Sequence, residues 1–285
     1  MSDIRDRIFE SLVGRDFEAT VFAEEPGILA GMSGALIEAE AAGCTPHALA
    51  KDGDPLNEGE AILHLQGSAI QLARAEETVM GALAKPSGIA SATRQLVDRA
   101  GKRLQIVGGG WKKMPGTLKE MVREAVGIGG AEPRIDDPPL LYLDKNYVRL
   151  LGGVERTLDA VSHLDGYRRV LQIGSDTLSL EEETRIAVKK GVSTLFVDTG
   201  EMGDLDVVIR TLVELGVRDQ IRLAFGGGVT LQEVDRLAER GVDALCIGRA
   251  IVDAPLLNLR MEVVVSENGL TAGPIAQQPG GTDNA

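Results

Sequence analysis

Aromatic side chains make up only 3% of the 285-residue chain, with a single Trp among them. The interior must therefore be aliphatic and alanine-rich. Cysteine is almost as scarce: Cys44 and Cys246 stand far apart, neither in a CxxC pair, which argues against a disulfide framework or a zinc knuckle. The three histidines, His47, His64 and His163, fall in the N-terminal part or on a helical pattern. No GxSxG elbow accompanies them, so neither a His-based triad nor a His-rich metal centre is expected. No run approaches the ~18–20 apolar residues of a membrane span. The opening MSDIRDRIFESLVG is charged and unlike a secretory signal, so a cytoplasmic location is expected. Positive charge is also short, with 30 Lys and Arg against 43 Asp and Glu, a net charge of −13. That balance argues against nucleic acid or an anionic membrane as a general partner. It leaves room for a small anionic substrate, which local lysines and backbone dipoles can hold.

What the chain does have is a regular beat. Apolar, β-branched runs recur at RLQIV (103–107), LLYL (140–143), RVLQI (169–173), TLFVD (194–198), IRLAF (221–225) and DALCI (243–247). Amphipathic helical patterns separate them, several with Ser or Thr at the N-cap and Gly past the end. Strands buried on both faces and joined by helices make a parallel sheet. Six such units predict an incomplete (β/α) barrel over 103–259, with an open doubly wound sheet as the competing architecture. Residues 1–102 read differently. DPLNEGEAILHLQGS has the turns and alternation of a small antiparallel sheet between helical patterns, so an α+β sandwich domain is expected there. RMEVVV (260–265) has no helical partner and is expected to return to that first domain, ahead of a partly disordered C-terminal segment over 266–285.

Chemistry gathers where these strands end. Gly226, Gly227 and Gly228 follow the fifth strand and open onto TLQEVDRL, while Gly248 and Arg249 end the sixth. Close backbone approach with a helix start behind it suits a phosphate, and barrels bind phosphate on such adjacent late loops. The plainer reading is a pair of tight turns. Lys112 and Lys113 follow the first strand in GGGWKKMPG, Asp144 and Lys145 the second; Gln172 lies in the third and Asp198 ends the fourth. In a barrel these share one mouth. Lysines there neutralise phosphate or pyrophosphate, and Asp198 suits ribose hydroxyls, a cationic transition state or magnesium. Solvated rim residues are the alternative.

The ordered series EPGILAG, DGDPLNEGEAILHLQG, AEETVMGALAKPSGIASAT, WKKMPG, AVGIGG, LLYLDKN, FVDT, FGGGV and GVDALCIGRA resembles the quinolinate phosphoribosyltransferases over about residues 15 to 265. The resemblance implies a sandwich domain, an incomplete barrel, and a homodimer or assembly of dimers with shared active sites. It also implies phosphoribosyl transfer from phosphoribosyl pyrophosphate (PRPP), with magnesium accompanying the donor. The departures fall in the implied site. Glu77 stands where the family carries an Arg for the substrate acid, and Trp111 replaces another Arg beside the retained Lys112. The family's His-Arg pair is absent, leaving Arg134 nearby; its KDNH stretch corresponds roughly to Asp144-Lys145-Asn146-Tyr147, and Gln172 replaces a Glu. A dicarboxylate needs paired cations, so the substitutions predict an acceptor other than quinolinate, planar or cationic, with Trp111 offering a stacking face. A Trp that merely plugs the vacated pocket is the plainer reading. Two other functions remain open at this stage: isomerase, aldolase or lyase chemistry on the same phosphate grip, and a nucleotide- or sugar-phosphate-binding protein without catalysis.

Overall fold

The computed structural model describes residues 3–174 and 178–264, in two compact units. One comprises Met1–Ser87 with the chain from Leu256 onward, the other Gly88–Pro255. The chain order begins α1 (Ile4–Ile8), β1 (Asp16–Ala23), β2 (Gly27–Ile28), α2 (Met32–Ala41), β3 (Thr45–Ala48), β4 (Pro55–Leu56), β5 (Ala61–Ser68) and α3 (Ala69–Ala100). It continues with β6 (Gln105–Gly108), α4 (Lys119–Ile128), β7 (Leu140–Leu143), α5 (Lys145–Leu151), α6 (Val154–Ala160) and β8 (Arg168–Ile173). Then come α7 (Leu180–Lys189), β9 (Thr194–Val197), α8 (Met202–Glu214), β10 (Arg222–Gly226), α9 (Val234–Glu239), β11 (Ala244–Ile247), α10 (Arg249–Val252) and β12 (Leu259–Val264).

In the first unit, alternation along β1 and β5 builds an antiparallel sheet in the order β12-β1-β5-β3. Ala19, Val21 and Ala23 share one face with Leu63 and Leu65 and pack on α2 and on Leu72, Ala75, Val79 and Leu83 of α3. Alanine supplies much of this contact, as the shortage of aromatics requires. Residue 265 and the segment 266–285 lie outside the described residues.

The sequence places the domain boundary near 102, whereas the two units divide between Ser87 and Gly88, inside α3. Helical periodicity reports that a helix continues, not where its buried face changes bodies. Pro86 lies at this division and has no N–H for the Ala82 carbonyl. Gly31, at φ 93°, packs against that carbonyl, where an added Cβ would stand 2.2 Å from the oxygen.

The second unit is an incomplete barrel of six parallel strands ordered β6-β11-β10-β9-β8-β7. Its end strands β6 and β7 do not pair with each other, so the sheet curls without closing. One face carries Leu143, Leu171, Leu195, Leu223 and Leu245, packed on the helices. The alternate residues Val107, Val170, Phe196, Ala224 and Ala244 form a separate inner layer with Ile135. Residues near 132 run beside β6, with Gly108 donating to the Glu132 carbonyl at 2.8 Å.

Next to Ile135, the carboxylate of Asp136 is buried. It accepts from the Thr194 hydroxyl at 2.7 Å, the Asp137 N–H at 2.9 Å and Arg168 at 2.6 Å. Burial pushes its pKa upward, but these partners outweigh it and hold the carboxyl below its ordinary range. A depressed carboxyl stabilises the fold above its unfolded pKa, and that contribution disappears as pH falls through the folded value. Asp136→Ala is therefore expected to cost about 3 kcal/mol near neutrality, and much less in acid. Urea unfolding at both pH values measures this; an equal loss at both would contradict the ionised pairing.

Candidate active site

Inward-facing alternation brings one residue from each strand end to the C-terminal mouth of the half-barrel. Gln172 is the hinge of this group. Its Oε1 accepts the Lys145 backbone N–H at 3.3 Å, which aims its Nε2 at Asp198 Oδ2, 3.2 Å away. Gly226 makes room beside them, since a Cβ there would lie 2.9 Å from the Phe196 ring and 3.1 Å from Asp198 Oδ1. Lys112 reaches over the Tyr142 ring at 5.5 Å. Asp198 is exposed at the rim, yet desolvation by the surrounding strand ends raises its carboxyl above the ordinary range. The positive charges of Lys112, Lys145 and Lys113 oppose that rise, so all three lysines act on the field at this carboxylate. The arrangement suits a substrate with anionic ends and a transiently cationic centre.

Tyr142 and Cys246 belong to this mouth and were not singled out by sequence. Their signal was available: each lies two residues before a proposed site residue and shares its inward parity. Burial pushes the Cys246 thiol up to about 12, so it stays protonated near neutrality and is no ready nucleophile. Desolvation likewise raises the Tyr142 phenol.

The glycine loops differ in what they can do. Gly227, at φ 102°, presses on the neighbouring loop, where a Cβ would meet Gly200 N at 2.3 Å. Gly228, at φ 96°, faces open space. Behind them TLQEVDRL forms a short 3-10 turn before the six-residue α9, and Glu233 caps Thr230. A phosphate at this loop would meet backbone N–H groups more than a long helix dipole. In the adjacent loop Gly248 packs closely on Gly110, while Arg249 is 87% exposed and 3.4 Å from Asp253.

Other proposed residues sit outside the cluster. Asp144 caps α5, accepting from Asn146 N at 2.9 Å and Tyr147 N at 3.2 Å, so its carboxylate is engaged locally. Arg134 is exposed. Glu77, in the first unit, pairs with Arg5, which also bonds Asp3.

Trp111 departs from the open stacking face expected of it. Its ring packs against the helix-side core, Nε1 donates to the Pro133 carbonyl at 2.9 Å, and the Arg123 guanidinium covers one face at 3.9 Å. Arg123 comes from α4 and reaches Glu120 at 3.0 Å; spacing alone gave no sign of it. Trp111→Ala is expected to cost about 3 kcal/mol of stability, with Phe recovering the stack but not the hydrogen bond. Unfolding midpoints test this, and an unchanged stability in Trp111→Ala would leave the ring without a structural role.

Comparison with known proteins agrees with this architecture. The family model for the quinolinate phosphoribosyl transferase N-terminal domain matches residues 6–87, and that for the C-terminal domain matches 89–262. A probable nicotinate-nucleotide pyrophosphorylase (carboxylating) of Methanothermobacter thermautotrophicus is 27% identical, covering 89% of this chain and 91% of that protein. A protein of the same description from Archaeoglobus fulgidus is 26% identical, over 88% and 95%. Among solved structures, the nicotinate-nucleotide pyrophosphorylase of Ehrlichia chaffeensis superposes with a TM-score of 0.78 at 19% identity, covering 92% of each chain. The family models matched over both units, with the similar relatives, make this a phosphoribosyltransferase-type enzyme. The chain belongs to the quinolinate phosphoribosyl transferase family. Isomerase, aldolase or lyase chemistry, a purely binding role and an acceptor other than quinolinate all find no support in these likenesses.

Proposed function

We propose that this enzyme transfers the phosphoribosyl group of PRPP to an acceptor other than quinolinate. The observation that carries the reading is what stands at positions 77 and 111. Glu77 is an acid tied to Arg5, and Trp111 is an apolar ring tied to Pro133 and Arg123. Neither offers the bidentate cation that a pyridine dicarboxylate needs. With one Trp111 face already covered, the acceptor is a planar ring held by the mouth itself rather than a cation stacked on that face.

The chemistry follows from charge. The bond from C1′ to pyrophosphate breaks with its electron pair leaving on pyrophosphate, and a bond from the acceptor to C1′ forms. Lys112 and Lys145 neutralise the departing anion. Asp198, oriented by Gln172, faces the oxocarbenium-like ribose, and the glycine loops with Arg249 hold the 5′-phosphate. Magnesium belongs to this reading as the ion PRPP carries, lending charge neutralisation to the pyrophosphate. Asp198 supplies the kind of single carboxylate that serves magnesium alongside substrate phosphates. Among the described residues no larger group of metal-binding side chains converges.

The reading includes a homodimer or an assembly of dimers, and a cytoplasmic setting. Sedimentation at micromolar concentration is expected to give a dimer or larger species; a fully active monomer would overturn that part. The acceptor is tested by incubating the enzyme with PRPP and a panel of ring acceptors, with pyrophosphate release and product mass as readouts. Release with quinolinate alone would sink the proposal.

A further inference from the structure

The opposite, N-terminal end of the half-barrel contains a polar cleft of about 700 Å³ whose lining includes Arg168, Arg218, Arg222, Arg240, Asp136 and Asp243. Three of these guanidiniums have a carboxylate partner. Arg168 pairs with Asp136 at 2.6 Å, Arg218 with Asp243 at 3.0 Å, and Arg240 with Asp206. Arg222 is different. Its Nη2 donates to the neutral amide oxygen of Gln105, and its Nε is buried without a hydrogen-bond partner. Among the described residues no acid pairs with it.

Arg222 opens β10 at an inward-facing position, in register with Thr194 and two residues before Ala224. Ala224 and Ala244 are the smallest members of the inner layer, so a long side chain has room beneath them. An arginine cannot shed its proton to relieve burial, and its unpaired N–H demands an acceptor. The four guanidiniums reach the cleft from separate positions in the chain, and only that of Arg222 lacks a carboxylate partner among the described residues. That distribution suits charge spread over a tetrahedral group better than the flat edge of a carboxylate.

We propose that this end of the half-barrel is a second anion site, in which Arg222 takes a small tetrahedral oxyanion such as phosphate. It is independent of the phosphate grip at the glycine loops and of the choice of acceptor. Titration calorimetry of the full chain with inorganic phosphate at low ionic strength tests it. Two phosphates per chain are expected. Arg222→Gln should weaken one of them at least tenfold, with Arg222→Lys intermediate because the charge remains without the fork. Gly228→Ala, at the catalytic-end loop, should weaken the other and leave the Arg222 site intact. Acetate at equal concentration should not compete. Unchanged binding of both phosphates by folded Arg222→Gln would overturn the proposal, as would a single wild-type phosphate that is weakened by Gly228→Ala and untouched by Arg222→Gln. Competition by acetate would overturn the tetrahedral class. Loss of only the Gly228-sensitive phosphate from the wild-type pattern would instead count against the catalytic phosphate grip.

Discussion

Asp198→Asn is expected to slow phosphoribosyl transfer by about two to three orders of magnitude, the scale on which one preorganised electrostatic partner of a transition state acts. The loss should fall on kcat more than on PRPP affinity, because the cationic character at C1′ develops only as pyrophosphate departs. The fold should not suffer. Desolvation raises the Asp198 carboxyl, so the native state disfavours its ionised form, and stability declines as pH rises through that range. A neutral Asn removes this penalty and is expected to leave the unfolding midpoint unchanged or higher at neutral pH. The same raised pKa has a kinetic signature. Activity needs the ionised carboxylate, so the acid limb of kcat/KM in the unmodified enzyme should lie above the ordinary carboxylate range. That limb should vanish in Asp198→Asn. A variant retaining a tenth or more of the wild-type rate would remove Asp198 from the chemistry.

Much of this site could be read from strand ends. The six apolar runs and the helices between them mark a parallel sheet, and Gln172 and Asp198 follow from its inward parity. The same parity, applied one step further, reaches Tyr142 and Cys246. The division inside α3 was hidden because apolar spacing is the same whichever body a helix face meets. The environment of Trp111 was hidden for another reason. A tryptophan between glycines and lysines looks like a ligand platform, and only the fold shows that Arg123 lies on the ring. Glu77 likewise reads as a bare acid until α1 brings Arg5 to it.

These two positions carry the second large effect. Quinolinate presents two carboxylates, and removing one partner of a desolvated charge pair costs about 2–5 kcal/mol. Without arginine at either position, affinity for quinolinate is expected to fall by roughly three decades or more. Arg5 offsets the repulsion from Glu77 but is committed to it and to Asp3. Glu77→Arg combined with Trp111→Arg should restore weak quinolinate binding, visible by calorimetry, even if turnover stays low.

The most direct test of the central claim is formation of nicotinate mononucleotide by the unmodified enzyme from quinolinate, PRPP and magnesium. The expected result is no product above the uncatalysed background, while PRPP itself binds. Robust turnover would contradict the claim, and would mean that Arg123, Arg134 or Arg5 supplies the cations that positions 77 and 111 lack.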